Sequence, residues 1–433
     1  MTQTADAPPS PVRDVPIRER GYMHDPGPLV GGMSWDDLTQ EATAELAWPL
    51  SVTVFHRMEA TDPSVASSLR AVTSPLMRTP ARLNGKGCDD QVVEHVARNL
   101  GIPIKGASEE VDADTVPLRG ADRFSFRAHL PNALLSLKYG HAYLEQLYWL
   151  DDAGLAHIRK LGLRPSRTIR RVNVDRDGGL DSIEQYGASG IYGTRPWSVD
   201  GVRIPVKRLV AYVNDREGDN WLGRSLLRSS YKNWVLKDKD LRTMSVSNHR
   251  NGVGHAVYEA GENETNLEPG RKLARGMRGG DDAGAAIPHG AKLRAYGVDG
   301  QTPDILASIR YHDEQIARGV LAHFLNLGSQ AGGQVGSYNL GSVLANTFNT
   351  AIGAIGDGIA DTFNRHVITD LVEANWGKDE PVPQLEFDDL NSTQTELDRF
   401  RMLTGLTDDQ ALIAWMRRNI AGLAGATIEE DPK

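Results

Sequence analysis

The chain has 433 residues, 40% of them hydrophobic and 24% charged, a balance expected of a folded protein with two or three domains or one elongated multi-part subunit. Its formal net charge of −9 argues against a tight, non-specific grip on nucleic acid, because that affinity comes from Lys and Arg displacing counterions. A single cysteine, Cys88, excludes an intrachain disulfide framework and a cysteine-based zinc site, and fits folding in a reducing cytoplasm.

Residues 1–33 carry Pro and charge and read as a flexible arm without the apolar stretch of a secretory signal. No apolar run in the chain reaches the roughly 18–20 residues that cross a bilayer. Residues 34–224 mix helix and strand. Ser34 can cap a helix beginning Trp35-Asp36-Asp37-Leu38, which Pro49 interrupts. Asp62-Pro63 supplies an N-cap and a first-turn proline, after which Val65, Leu69 and Val72 share a face. Residues 90–101 predict a short helix stopped by Gly101. The stretch 126–139 reads as helical. Residues 142–150 form a strand turned back at Asp151-Asp152-Ala153-Gly154, with further strands at 168–174, 182–186 and 209–212. The basic run over 159–176 is expected as a solvated strand face, with a contact for nucleic acid or a partner as the alternative.

A long helix is predicted over 225–250, then a Gly- and charge-rich module over 251–302. In that module His255-Ala256-Val257-Tyr258 and Lys292-Leu293-Arg294-Ala295-Tyr296 form strands flanking a charged connection. Pro303-Asp304 restarts a helix to about 325, and a polar, glycine-rich loop occupies 326–339. The clearest periodicity follows: Leu340, Leu344, Phe348, Ile352, Ile355, Ile359, Phe363, Val367 and Leu371 make one apolar face of a helix over 340–377, roughly 55 Å long at 1.5 Å per residue. Gly353, Gly356 and Gly358 inside it predict a kink or a close helix contact. Residues 378–433 contain a Pro-bearing linker, two short helices at 395–404 and 408–423, and an acidic tail. The fold class is α+β, helix-rich with small mixed or antiparallel sheets.

Catalytic signatures are missing from the sequence. The glycine loop at 328–336 lacks the Gly-Lys-Ser/Thr ending that holds phosphate and magnesium, and Asn84-Gly85-Lys86-Gly87 has neither the spacing nor, in this reading, a preceding strand. No G-x-S-x-G elbow occurs. Of the 12 histidines, His312 and His323 share a predicted helix, but a spacing of eleven positions amounts to about 16 Å, too far for one metal. His312-Asp313-Glu314 reads as a solvated polar face. No enzyme activity, metal or cofactor is expected.

The order of segments carries a resemblance. Asp62 to Val72 with Pro75-Leu76, Tyr139-Gly140-His141-Ala142-Tyr143-Leu144-Glu145, Trp221-Leu222-Gly223-Arg224-Ser225-Leu226-Leu227-Arg228 with Lys232 and Lys237, and His323-Phe324-Leu325-Asn326-Leu327-Gly328 with Gly336-Ser337-Tyr338 resemble, in this order, the portal proteins of tailed bacteriophages over roughly 40–420. The resemblance implies a wing over 34–224 and stem helices at 225–250 and 303–325. It also implies a clip at 251–302, a tunnel loop at 326–339, a long wing helix and a short crown-like end. It further implies a dodecameric ring at one capsid vertex of the virion, through which double-stranded DNA is packaged and ejected. The clip would dock the terminase motor and later the head–tail adaptor, and major capsid and scaffold proteins would surround the ring. Carried onto this chain, Ser329, Gln330, Gln334, Ser337, Tyr338 and Asn339 would line the tunnel, and Lys232, Lys237, Lys239 and Arg242 would be candidate channel-facing stem residues. Arg271, Lys272, Arg275 and Arg278 would be the clip's partner surface. Neutral polar groups at the tunnel suit a polymer that must slide, since they contact phosphates without counterion-release affinity. A packaging enzyme or another virion ring or adaptor protein are the competing readings.

Overall fold

The computed structural model describes Met23 and residues 41–106, 124–187, 201–253, 255–262, 264–276, 286–296, 304–320 and 337–388. The arm apart from Met23, residues 34–40 of the helix expected after Ser34, the loop residues 326–336 and the helices expected at 395–423 lie outside the described residues; over 41–49 that expected helix is not formed, and only a 3-10 turn at Ala44–Leu46 precedes Pro49. The chain divides into two units: Met1–Arg57, Val72–Leu226 and Asn346–Lys433 form the first, and Met58–Ala71 with Leu227–Ala345 the second.

Helices α1 (Leu50–Thr61) and α2 (Pro63–Arg78) open the described chain. The Asp62 carboxylate caps α2, accepting from Ser64 N at 2.8 Å and Val65 N at 3.4 Å, as the Asp-Pro signal predicts. The helix runs past 72 and through Pro75. Strand β1 (Ala81–Asn84) follows, so a strand does precede Asn84-Gly85-Lys86-Gly87; the phosphate-loop spacing remains absent. Helix α3 (Asp90–Leu100) has its N-cap at Asp89, which accepts from Gln91 N, and ends on Gly101 at φ 64°. Val92, Val93, Val96, Ala97 and Leu100 bury one stripe.

After α4 (Phe126–Ala133) and α5 (Leu135–Tyr139), two three-stranded antiparallel sheets form. The first has the order β3-β2-β7, from β2 (His141–Leu150), β3 (Ala156–Arg164) and β7 (Leu209–Val213). The second has the order β4-β5-β6, from β4 (Ile169–Val174), β5 (Leu180–Gln185) and β6 (Val202–Pro205). They share one apolar layer of Tyr143, Ile169, Leu180, Ile183, Ile204 and Leu209, edged by Trp48, Val172, Ala211 and Trp221. The first residues of β2, 141–144, are buried on both faces, because the side away from that layer meets helices: His129 Nε2 meets Tyr212 Oη at 2.9 Å, and Gln146 donates to Asp370 Oδ2 at 3.0 Å.

Two segments far apart in sequence meet beside β2. Gly140 (φ 91°) and Gly223 (φ 62°) lie back to back, and a Cβ on either would sit 2.5 Å or less from the other segment's carbonyl oxygens. The Tyr143 hydroxyl donates to the Trp221 carbonyl at 2.6 Å, and His141 Nδ1 lies 2.9 Å from the Leu222 carbonyl. Only glycine combines that backbone with that approach.

The long periodic helix is present. It comprises α9 (Ser337–Phe363), one π-helical turn (Asn364–Ile368) and α10 (Thr369–Trp376). Phe348, Ile352, Ile359, Phe363, Val367 and Leu371 are buried, as the period requires. Gly356 makes the expected close contact, its notional Cβ 3.0 Å from Leu76 Cδ2, whereas Gly353 and Gly358 face open space. The irregularity is the π turn, where the Asn364 amide bonds both backbone groups of Leu385, accepting from its N at 2.8 Å and donating to its O at 3.0 Å. Leu385 lies on β10 (Gln384–Phe387), which pairs antiparallel with β1.

Candidate stem and clip surfaces

The second unit is built on α6 (Tyr231–Val253) and α8 (Ile305–Gly319). The first of these begins at Tyr231 and not at the predicted 225, with turns before it. Their contacts run in opposite directions: Ser230 Oγ donates to Ile316 O, His312 Nδ1 meets Asn233 Oδ1, Lys237 meets Asp313, and Ser308 Oγ donates to Asp240 Oδ2. The helices are therefore antiparallel. At the closed end, the notional Cβ of Gly319 would lie 2.5 Å from Ser230 Oγ, so a small residue is needed where α8 stops. Asp304 caps α8 by accepting from Ala307 N at 2.9 Å, and the helix ends at Gly319 rather than near 325, with 321–336 outside the described residues.

The seam between the helices is polar, and its central cation is buried. Lys237 is 6% exposed, and its ammonium donates to Asp62 at 2.9 and 3.0 Å and to Ser64 Oγ at 3.3 Å, and pairs with Asp313 at 2.5 Å. The Ser64 hydroxyl completes the ring by donating to Asp313 at 2.6 Å. Burial pulls the Lys237 pKa down, but the hydrogen bonds and charges of Asp313 and Asp62 outweigh it, and the net shift is upward. Lys237 is thus a structural counterion and not a channel-facing cation, as the sequence reading had it. Its spacing explains why: Lys232 and Lys239, seven residues apart, share the exposed face of α6, while Lys237 points to the opposite side. His312-Asp313-Glu314 is likewise no solvated face at its first two positions, since His312 is 7% exposed and Asp313 holds Lys237. The network also places residues 62–71, read from sequence as a wing helix, in the unit of α6 and α8.

Lys232, Lys239 and Arg242 are exposed, and Arg242 pairs with Asp238 one turn earlier at 2.8 Å. At the far end of the helix pair, β8 (His255–Glu259) and β9 (Lys292–Tyr296) form the expected antiparallel hairpin. The charged connection contains a helix that the sequence reading missed, α7 (Glu268–Gly276). Its Pro at the second position and its short length hid it, and the contact that holds it is tertiary: Gly270 packs so closely on Tyr258 that a Cβ would lie 2.0 Å from the ring. The Tyr258 hydroxyl donates to Glu264 at 2.6 Å, and that bond, with burial and the Glu264 charge, pushes its pKa up to about 12. With Gly270 inward, Arg271, Lys272 and Arg275 are exposed on the outer side, Arg271 pairing with Glu268 at 3.3 Å. Arg278 lies outside the described residues, as do Ser329, Gln330 and Gln334. Ser337, Tyr338 and Asn339, read as tunnel loop, belong to the first turn of α9.

No cluster of three or more His, Cys, Asp or Glu side chains able to hold a metal occurs among the described residues, and no helix of the described residues is long and apolar enough to cross a membrane. What these residues build is a polar-seamed helical hairpin tipped by a β-α-β module.

Comparison with known proteins agrees with this architecture. The chain is similar in fold to a protein in the virion of a native gene transfer agent particle, with a TM-score of 0.53 and 11% identity, over 88% of this chain and 95% of that one. It is similar also to a chain in the neck of the native particle computed with C12 symmetry, with a TM-score of 0.52 and 12% identity over 88% and 95% of the two chains. A chain in the neck of the empty particle matches with a TM-score of 0.51 and 12% identity over 85% and 94%. No curated protein matches in sequence. The family model described as the portal protein of Mu bacteriophage matches residues 52–420, a span that takes in both units, the helical hairpin and its β-tipped end, and the chain therefore belongs to the phage portal protein family.

Proposed function

We propose that the chain is one subunit of a dodecameric ring at a single capsid vertex, a channel for double-stranded DNA during packaging and ejection, with no catalytic role of its own. The observation that carries this reading is the antiparallel pair α6 and α8, held by buried polar contacts and bearing a small β-α-β module at one end and the 320–337 connection at the other. In the ring, α6 and α8 serve as stem, 251–302 as clip, 326–336 as tunnel loop, the first unit as wing and 395–423 as a short crown. Lys232, Lys239 and Arg242 stand as channel-side cations, muted by Asp238 beside Arg242. Arg271, Lys272 and Arg275 on α7, with Glu268 paired to Arg271, present a mainly positive face suited to an acidic surface on the packaging motor and then on the head–tail adaptor. Capsid and scaffold proteins contact the wing. Each subunit interface is heterologous and closes by rotation.

The test is the oligomer. Mass photometry and negative-stain images of purified protein are expected to give closed rings with a central channel and radial arms. Protein that stays monomeric at every concentration and salt refutes the reading, and a ring without radial arms points to a different virion ring component.

A further inference from the structure

Strand β3 is an edge of its sheet, so the backbone groups it turns away from β2 have no strand to pair with. Side chains from two helices take them instead. The Asn375 amide of α10 brackets Ala156, accepting from its N at 2.7 Å and donating to its O at 3.0 Å, and His95 Nε2 of α3 lies 3.0 Å from the same carbonyl. At the next outward position, Ile158 N donates to Asn99 Oδ1 at 3.0 Å. The buried Asn99 turns its Nδ2 to the His95 carbonyl at 2.9 Å and to His157 Nδ1 at 3.2 Å, and His157 Nε2 lies 3.1 Å from Asp151 Oδ2. Four rings stand in a row: Trp149 stacks on His157 with centroids 4.6 Å apart, His157 meets His95 at 4.6 Å, and His95 meets Trp376 edge-on at 5.2 Å.

These contacts admit one protonation state of His157. Asn99 Oδ1 accepts from Ile158, so its Nδ2 faces the ring, and His157 Nδ1 must be the acceptor. The ring proton therefore sits on Nε2 and is donated to Asp151. A second proton could enter only at Nδ1, against the Asn99 N–H groups. Turning the amide over gives no relief, since its NH2 would then face the Ile158 N–H and its oxygen the His95 carbonyl. On its other sides the ring suits a cation, with a carboxylate at Nε2 and the Trp149 face against it. His157 can thus hold a second proton together with Asp151 and Trp149, but not together with Asn99. His95 does not take up that proton: burial first, then the charges of His157 and Arg98, hold its pKa below the usual imidazole range against the opposing pull of the Ala156 carbonyl and Asp151. Arg98 itself pairs with Glu94 at 3.0 Å, and α10 meets His95 with the neutral side chains Asn375 and Trp376.

We propose that His157 and Asn99 form a proton-operated latch on the β3 edge: in mild acid the ring takes a second proton at Nδ1, keeps Asp151 and releases Asn99, so that β3 parts from α3 at Ile158 while Asn375 holds it at Ala156. The latched state carries the neutral ring, so the latch is complete at neutral pH and is lost as pH falls. This goes beyond the ring reading and does not depend on it.

Single-amide hydrogen exchange on the full chain, corrected for the intrinsic rate at each pH, tests it. In the wild type, protection of the Ile158 amide relative to the Ala156 amide is expected to fall about thirtyfold between pH 7.5 and pH 5. One linked proton gives about tenfold per pH unit below the ordinary imidazole value near 6.5. His157→Phe keeps a ring against Trp149 and cannot titrate, so its ratio should not vary with pH. Asn99→Asp offers an oxygen to the Ile158 N–H and another to Nδ1–H, and its ratio should not fall in acid. Melting at pH 7.5 checks that each variant is folded, and if His157→Phe is not, the wild type and Asn99→Asp decide. A wild-type ratio flat within about threefold overturns the proposal, as does a fall of wild-type size in either folded variant. So does loss of protection at Ala156 and Ile158 together, which would mean general loosening of the strand.

Discussion

Replacing Lys237 with Met tests the account of the helix seam most directly. The wild-type ammonium sits between two carboxylates, Asp62 with a side chain 7% exposed and Asp313 with one 32% exposed. Met keeps most of the volume and removes the charge, so the Asp62 carboxylate is left dry with only the backbone N–H groups of α2 for support. Asp313 can rehydrate at its exposed side, and most of the cost falls on Asp62. Removing one partner of a buried pair costs about 3–5 kcal/mol, whereas replacing both is close to neutral. Lys237→Met should therefore be destabilising by that amount, and adding Asp62→Asn, which keeps a capping oxygen, should restore most of it. Native-state hydrogen exchange of the amides in α6 and α8 reads the effect locally, and at about 1.4 kcal/mol per tenfold, protection should fall by roughly 10²–10³·⁵. The sign with pH follows from the raised Lys237 pKa. The lysine's contribution is complete below its unfolded value near 10.5 and is lost as pH climbs through the higher folded value, so wild type and variant should converge in strong alkali. Exchange rates in the variant within about threefold of wild type, or no rescue by Asp62→Asn, would refute the reasoning.

Burial pushes His129 down to about 3 and His141 down to about 4, so both fold as neutral rings. The stability they allow is present above the unfolded value near 6.5 and declines by about 1.4 kcal/mol per pH unit for each as pH drops toward 4; melting scans from pH 7 to 4.5 should show it, and His129→Phe should lessen the slope. Gly270→Ala drives a methyl into the Tyr258 ring, with an expected overpacking cost of about 1–3 kcal/mol confined to the β8–α7–β9 module, visible as faster proteolysis within 255–296 while the first unit stays resistant. Asn364→Ala strands the N–H and C=O of Leu385, each worth about 1–3 kcal/mol, and should lower the melting temperature with early loss of β1–β10 protection. Deletion of 330–336 is expected to leave ring assembly intact and to impair DNA packaging in a reconstituted assay; undiminished packaging would mean that the segment does not face DNA.

The periodic elements were legible because they obey short-range rules. The apolar stripe from Phe348 to Leu371, the Asp62-Pro63 start and the Gly101 stop depend on spacing and capping that lie within one helix. The family order was legible too, although its motifs were read as separate pieces; the structure joins two of them through Gly140 and Gly223. The misses share a cause. Lys237 was assigned to the channel with its neighbours because charge along a helix does not say which side is buried, and its partner Asp62 lies 175 residues away. The helix α7 escaped because one close approach to Tyr258, rather than propensity, holds it.

Local chemistry written along the chain determined the α+β class, the succession of long helices with an interposed β module, and the absence of a recognisable catalytic motif. Tertiary structure alone decided which cations are counterions and which are surface, and that a π turn rather than a glycine interrupts the long helix. These are properties of contacts between residues distant in sequence, where burial and pairing set the energy of a charge, and no local pattern encodes them.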